Sequence, residues 1–271
     1  MPALTPVKPA NPSAERSQYP GRPDTDPGAP PTRPTRTKPT ATLAPPTIAV
    51  VLDETGSMMS VKAATVSSYN EYLSNLQADK NNDGARFALT RFNTARTVTE
   101  GPVDLAQAPR LTDATYQPAA MTDLYDAIGK TITRLDADAP SGPVIVVILT
   151  DGEENSSKEF TRDTIKTLIN EREATKRWSF IFLGAGQDAW VTGGAFGIQK
   201  GNAMSYVGDS GGTIVAMRSA SRATSGITRD YHASGGTTMS STVAFASAGI
   251  DHCLACGGRI TFDAPHVCAS K

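Results

Sequence analysis

Cysteine is almost missing from this sequence: there are three in 271 residues, all within the last 19. That excludes a disulfide framework for the body of the protein and points to a reducing, cytoplasmic interior. Long apolar runs are missing as well, none approaching the roughly 20 residues of a membrane span. The opening residues, MPALTPVKPANPSAERSQYP, hold no apolar signal core, so export by that route is not expected. A dominant charge is also lacking. The net charge of −1 gives no global field for nucleic acid or an anionic membrane, so neither is expected as a partner.

Proline and apolar residues are unevenly placed. Residues 1–46 hold 13 of the 19 prolines and one aromatic, Tyr19, with a local charge of +3. Such a segment buries too little apolar surface to offset its ordering entropy and reads as a disordered tether. After Pro46 the texture changes. TIAVVL (47–52) and PVIVVILT (143–150) are unbroken apolar runs, the mark of strands buried on both faces. RFALTRF (86–92) and RTVTEGPV (96–103) alternate like a hairpin, and RWSFIFLG (177–184) is a further strand. AMSYVG reads as a short edge strand and QDAWVTGGAFGI as a short helix. From Ser57 to about Ala78, Met59, Val66, Tyr69, Leu73 and Leu76 recur at helical spacing, with Ser57 a natural N-cap. Leu124, Ile128, Ile132 and Leu135 stripe a second helix, Ile165, Leu168 and Ile169 a third, and TIVAMRSASRAT a closing one. Strands alternating with helices imply βαβ crossovers. The expected fold is therefore α/β: a doubly wound, Rossmann-like, mostly parallel sheet with one antiparallel edge. The expected units are the tail 1–46, an α/β domain 47–226, a Ser/Thr/Gly/Ala-rich linker 227–249 and a small segment 250–271.

In such a sheet, ligands sit beyond the carboxyl ends of the strands. The first apolar strand ends in DETGS, offering Asp53, Thr55 and Ser57 at alternate positions, with Gly56 letting the backbone turn closely. The greasiest strand ends in LTDGEENSS, bringing Asp151 to the same rim, and AAMTDLYDAI places Thr122 and Asp123 in a loop before a helix. Taken singly, these are caps and turns. Taken together, two acids converging without a counter-ion repel each other, and a bound divalent cation removes that conflict. Every offered atom is oxygen, which favours Mg²⁺, Mn²⁺ or Ca²⁺ over zinc.

These residues resemble the von Willebrand factor A family, whose metal-ion-dependent adhesion site reads Asp-x-Ser-x-Ser, then a separated Thr, then a separated Asp, commonly in Thr-Asp-Gly. Asp53, Thr55 and Ser57 match the first part with Thr in the first hydroxyl slot; Thr122 matches the second and Asp151 the third. The likeness runs from about Thr47 to Thr224. Ala120 and Met121 stand where the family often has glycine, so a stiffer loop is expected there. The resemblance implies a protein-binding module, not an enzyme, in which an acidic side chain of a partner completes the metal's shell. The alternatives are a metal-dependent hydrolase or phosphatase and a structural part of a phage or other particle.

Two motifs mislead. GDSGGT (208–213) matches the chymotrypsin nucleophile loop, but all three histidines follow Ser210, the wrong order for that chemistry, so it reads as a turn before a helix. GAGQDA (184–189) fits a dinucleotide fingerprint but follows a late strand and lacks the later acid. The tail is different: Cys253-x2-Cys256 and His266-x-Cys268 have the spacing of a zinc knuckle, with His252 a competing fourth ligand. So short a unit would take its folding free energy from Zn²⁺. A von Willebrand A domain followed by a zinc-binding tail also resembles the A-domain proteins of bacterial tellurite-resistance clusters.

Overall fold

The computed structural model describes residues 43–186, 189–237, 239 and 244–247. The zinc-knuckle expectation on Cys253, Cys256, His266, Cys268 and His252, and most of the expected tether, lie outside the described residues.

Six strands form one sheet in the order β3-β2-β1-β4-β5-β6. They are β1 (Thr47–Asp53), β2 (Arg86–Asn93), β3 (Arg96–Asp104), β4 (Val144–Thr150), β5 (Trp178–Ala185) and β6 (Ala203–Tyr206). All neighbours pair parallel except β2 and β3, the expected antiparallel edge. The apolar runs of β1 and β4 occupy the middle because only there are both faces covered. Along β1, Ile48, Val50 and Leu52 pack into one core layer and Ala49 and Val51 into the other. The first layer is closed by α1 (Lys62–Ala78) and α5 (Ser210–Ala233), through Tyr69, Leu73, Met217 and Ile227. The second is closed by α2 (Leu124–Ala137) and α3 (Arg162–Ala174), through Ile128, Ile132, Ile165 and Ile169. Two short helices, α4 (Ala189–Ala195) and α6 (Ala244–Ser247), complete the described elements. None of the described helices is long and apolar enough to cross a membrane.

Three boundaries differ from the sequence expectation. Residues Gly56–Val61 form a 3-10 turn before α1, and Ser57 caps nothing because its hydroxyl is committed elsewhere. Within that turn Met58 is buried and Met59 is 53% exposed, so Met59 does not belong to the core stripe. At the other end, α5 runs past 226 to Ala233, and beyond it Met239, Ala244 and Phe245 are buried in the first core layer, inside the stretch read as linker. Ahead of β1, Leu43 packs on that same layer and the Pro46 carbonyl accepts the Arg86 amide at 2.9 Å, so the domain begins a few residues before 47. Asp209, in the GDSGGT stretch, caps α5 by accepting the Gly212 amide at 2.7 Å.

Candidate metal centre

The ladder between β1 and β4 ends at Leu52, so the chain is free to turn just past Asp53, over the carboxyl rim. Asp53 is fully buried. Its Oδ1 accepts the Thr55 amide at 2.8 Å and its Oδ2 accepts the Thr150 hydroxyl at 2.6 Å. The Tyr116 hydroxyl donates to the Asp53 carbonyl at 2.6 Å, fixing the backbone beneath. Thr55 Oγ1 lies 3.1 Å from Ser57 Oγ, and Ser57 donates to Asp151 Oδ1 at 2.6 Å. The turn after β1 and the turn after β4 are thus joined by a continuous chain of side-chain oxygens.

Thr122 arrives from a third loop. The Gly56 amide donates to the Ala120 carbonyl at 3.1 Å, and the Ala119 amide donates to the Glu54 carbonyl at 3.0 Å. Ala120 holds φ of 62°, a left-handed conformation that an L-residue adopts at a cost of about 1 kcal/mol. This is the conformation that a glycine would take freely, and alanine takes it here. Thr122 then exchanges two hydrogen bonds with Asn155, each 3.1 Å long. A Cβ on Gly152 would lie 2.8 Å from Thr122 Oγ1, so only glycine after Asp151 lets that hydroxyl come so close.

Several positioning groups escaped the sequence reading. Asp126, in the first turn of α2, accepts the amides of Lys158, Glu159 and Phe160 at 3.0, 2.9 and 2.8 Å. Glu154 accepts those of Tyr125, Ser156 and Ser157 at 2.9, 2.8 and 2.7 Å. The loops carrying Thr122 and Asp151 are therefore tied together. Acidic loops are visible in sequence; which amides they will satisfy is not. Glu54, also fully buried, faces Arg91 at 3.7 Å and Arg96 at 3.5 Å.

Burial pushes Asp53 up to about 6, and the Asp151 charge adds to the rise against the hydrogen bonds from Thr150 and Thr55. Burial also raises Asp151, opposed by Ser57, and raises Asp123, whose Oδ1 is buried without a hydrogen-bond partner. Each carboxylate is thus short of positive charge. Among the described residues no group of three or more His, Cys, Asp or Glu converges, so a cation here would depend on hydroxyl oxygens as much as on carboxylates. Two under-compensated acids, three hydroxyls and a glycine cradle fit a small, hard divalent ion.

No family model and no curated protein matches this sequence. Among solved structures, the pilus adhesin SpaC from Lactobacillus rhamnosus GG matches at a TM-score of 0.51 and 11% identity, over 67% of this chain and 30% of that one. Proximal thread matrix protein 1 from the mussel byssus matches at 0.49 and 14% identity, over 66% and 46%. The vWF domain of the type V pili tip protein Mfa5 from Porphyromonas gingivalis matches at 0.34 and 16% identity, over 45% and 43%. The chain spans less than half the length of each of these solved chains. At this identity the SpaC likeness speaks to the fold alone, and the two lower scores carry no weight. With its strand order, antiparallel edge and helix-covered faces, the chain has a mostly parallel α/β fold similar to that found in SpaC. Neither the tellurite-resistance type nor the cysteine tail is touched by these likenesses.

Proposed function

We propose that this chain is a divalent-cation-dependent protein-binding module, cytoplasmic and without catalytic activity. The observation that carries this reading is the run of side-chain oxygens Thr55–Ser57–Asp151 at the carboxyl rim, tied to Asp53 through the Thr55 amide, with Thr122 brought close over Gly152. Asp53, Thr55, Ser57, Thr122 and Asp151 would hold Mg²⁺, Mn²⁺ or Ca²⁺. When bound, the ion supplies a positive centre able to take a carboxylate from a partner protein. The protein's own work is positional: Thr150 and the Thr55 amide aim Asp53, Ser57 aims Asp151, and Asn155 fixes the Thr122 backbone.

Binding is favoured over catalysis because, among the described residues, no histidine stands at the rim. His232, in the last turn of α5, has its Nε2 2.9 Å from the Asn81 carbonyl, at the opposite end of the sheet. SpaC is described as a pilus adhesin, which agrees in kind with a binding role. The reading also keeps Zn²⁺ on Cys253, Cys256, His266 and Cys268, to be checked by zinc content.

A thermal-shift titration tests the rim. Mg²⁺ at about 100 times its Kd stabilises the fold by roughly 2.7 kcal/mol, equivalent to several degrees for a domain of this size. Asp151→Ala and Ser57→Ala abolish that shift while leaving the melt in EDTA cooperative. An unchanged Mg²⁺ shift in both variants removes the assignment.

A further inference from the structure

Among the described residues, four large hydrophobic side chains are exposed: Met59 at 53%, Met121 at 54%, Val191 at 51% and Val207 at 46%. Their places in the fold are not scattered. Met59 lies in the 3-10 turn just beyond the carboxyl end of β1. Met121 is held to the tip of the β2–β3 hairpin, its carbonyl accepting the Thr94 amide at 3.0 Å. Val191 is in the first turn of α4, which follows the carboxyl end of β5, and Val207 directly follows β6. All four therefore crowd one rim of the sheet, the rim of the oxygen chain. By strand order the methionines stand on the β1–β2 side of that chain and the valines on the β5–β6 side. No such side chain is exposed on the described amino rim or on the outer faces of α1, α2, α3 and α5.

Isolated exposed apolar residues mean little, but apolar side chains gathered around a polar centre mark an interaction face. Methionine suits this place because its unbranched, polarizable side chain adapts to varied surfaces. Resting on the cation reading above, we infer that the rim takes a partner-protein segment whose Asp or Glu is flanked on both sides by apolar residues. Coordination fixes the middle of that segment: with two acids and three hydroxyls as donors, a six-coordinate hard cation has one place left, which one carboxylate oxygen of the partner fills. The collar fixes the flanks. Met59 and Met121 determine specificity, and the five oxygen-bearing residues determine whether anything binds.

A random 12-residue peptide library displayed on phage provides the probe. It is panned on the full chain in Mg²⁺ and eluted with EDTA. Enriched peptides carry Asp or Glu with Leu, Ile, Phe or Met within two positions. The strongest, remade as a fluorescent peptide, binds at least about tenfold more tightly than its copy with Ser at the flanks. Met59→Ser/Met121→Ser erases that preference; both positions are exposed, so its melt and its Mg²⁺ shift stay as in the parent. Acidic peptides without apolar flanks, no enrichment, or an unchanged preference in the double variant would overturn the collar. Mg²⁺-dependent association of the chain with neutral phosphatidylcholine vesicles, lost in that variant, would also overturn it by assigning the face to lipid. Loss of the Mg²⁺ thermal shift in the parent would instead refute the cation reading, so the two failures are told apart.

Discussion

At the amino end of the sheet polar groups answer one another. Arg86 pairs with Asp138 and donates to the Pro102 carbonyl at 2.7 Å, Arg177 donates to the Pro140 and Gly142 carbonyls, and Thr47 donates to Pro143 at 2.8 Å. Residues 44 and 45 cover this end, with the Ala44 carbonyl accepting the Tyr231 hydroxyl at 3.3 Å. At the carboxyl end the balance is left open: buried Asp53 feels the charge of half-buried Asp151, Asp123 keeps an unpaired oxygen, Ala120 takes a glycine-like conformation, and apolar side chains face water. The same sheet thus has an end built for stability and an end where stability is given up. Proteins commonly concentrate such costs where they bind something.

The sharpest way to break the contrast is at the closed end. A Cβ on Gly142 would lie 2.0 Å from the Pro45 carbonyl oxygen, a backbone atom with little room to move. Gly142→Ala should cost about 2–4 kcal/mol in urea unfolding while sparing any Mg²⁺ shift. A loss below about 0.5 kcal/mol would show that the segment ahead of β1 is only loosely seated.

The open end should respond in the opposite direction. Burial raises Asp53 from 3.8 to about 6, so the folded state prefers its protonated form. The stability this confers is fully present below the ordinary pKa and is lost as pH rises through about 6. In EDTA, Asp53→Asn should flatten that decline and leave the protein roughly 1–3 kcal/mol more stable at neutral pH, with no response to Mg²⁺. A variant less stable than the parent in EDTA would contradict the account of the rim as electrostatically costly.

The smallest expected effect sharpens the comparison, because the closed end has lapses of its own. Glu173, in the last turn of α3, is pushed up to about 7 by burial against a hydrogen bond from the Phe180 amide, and its Oε1 has no partner. It too favours the fold when protonated, with that stability lost between its ordinary 4.5 and about 7. Because the group is partly solvated, Glu173→Gln should gain less than about 1 kcal/mol above neutrality, read as a small rise in Tm. A fall in Tm would mean that the charge is compensated.

Much of this was legible in the sequence, for reasons of composition. Unbroken apolar runs marked β1 and β4 because strands covered on both faces need no alternation. The start of α1 was misread because Gly56–Val61 looks helical by spacing, while the actual turn follows the demands of Ser57 and Asp151. The length of α5 was hidden by its small residues. Ser219, Ala220, Ala223 and Thr224 carry little hydrophobic signal but are buried, and Thr224 Oγ1 lies 3.2 Å from the Tyr72 hydroxyl on α1. At the rim, Asp53, Thr55, Ser57 and Asp151 were readable because strand ends and short spacing place them. The roles of Asn155, Gly152 and Asp126 were not, since each depends on a pairing between loops distant in sequence.

Asp126 gathers three successive amides onto one carboxylate. A single side chain consequently works as the pin of a clasp, fastening the long stretch after β4 to the opening turn of α2. Anyone transplanting or trimming residues 151–161 to redesign this surface would have to move the beginning of that helix with them, because the two pieces form one exchangeable part.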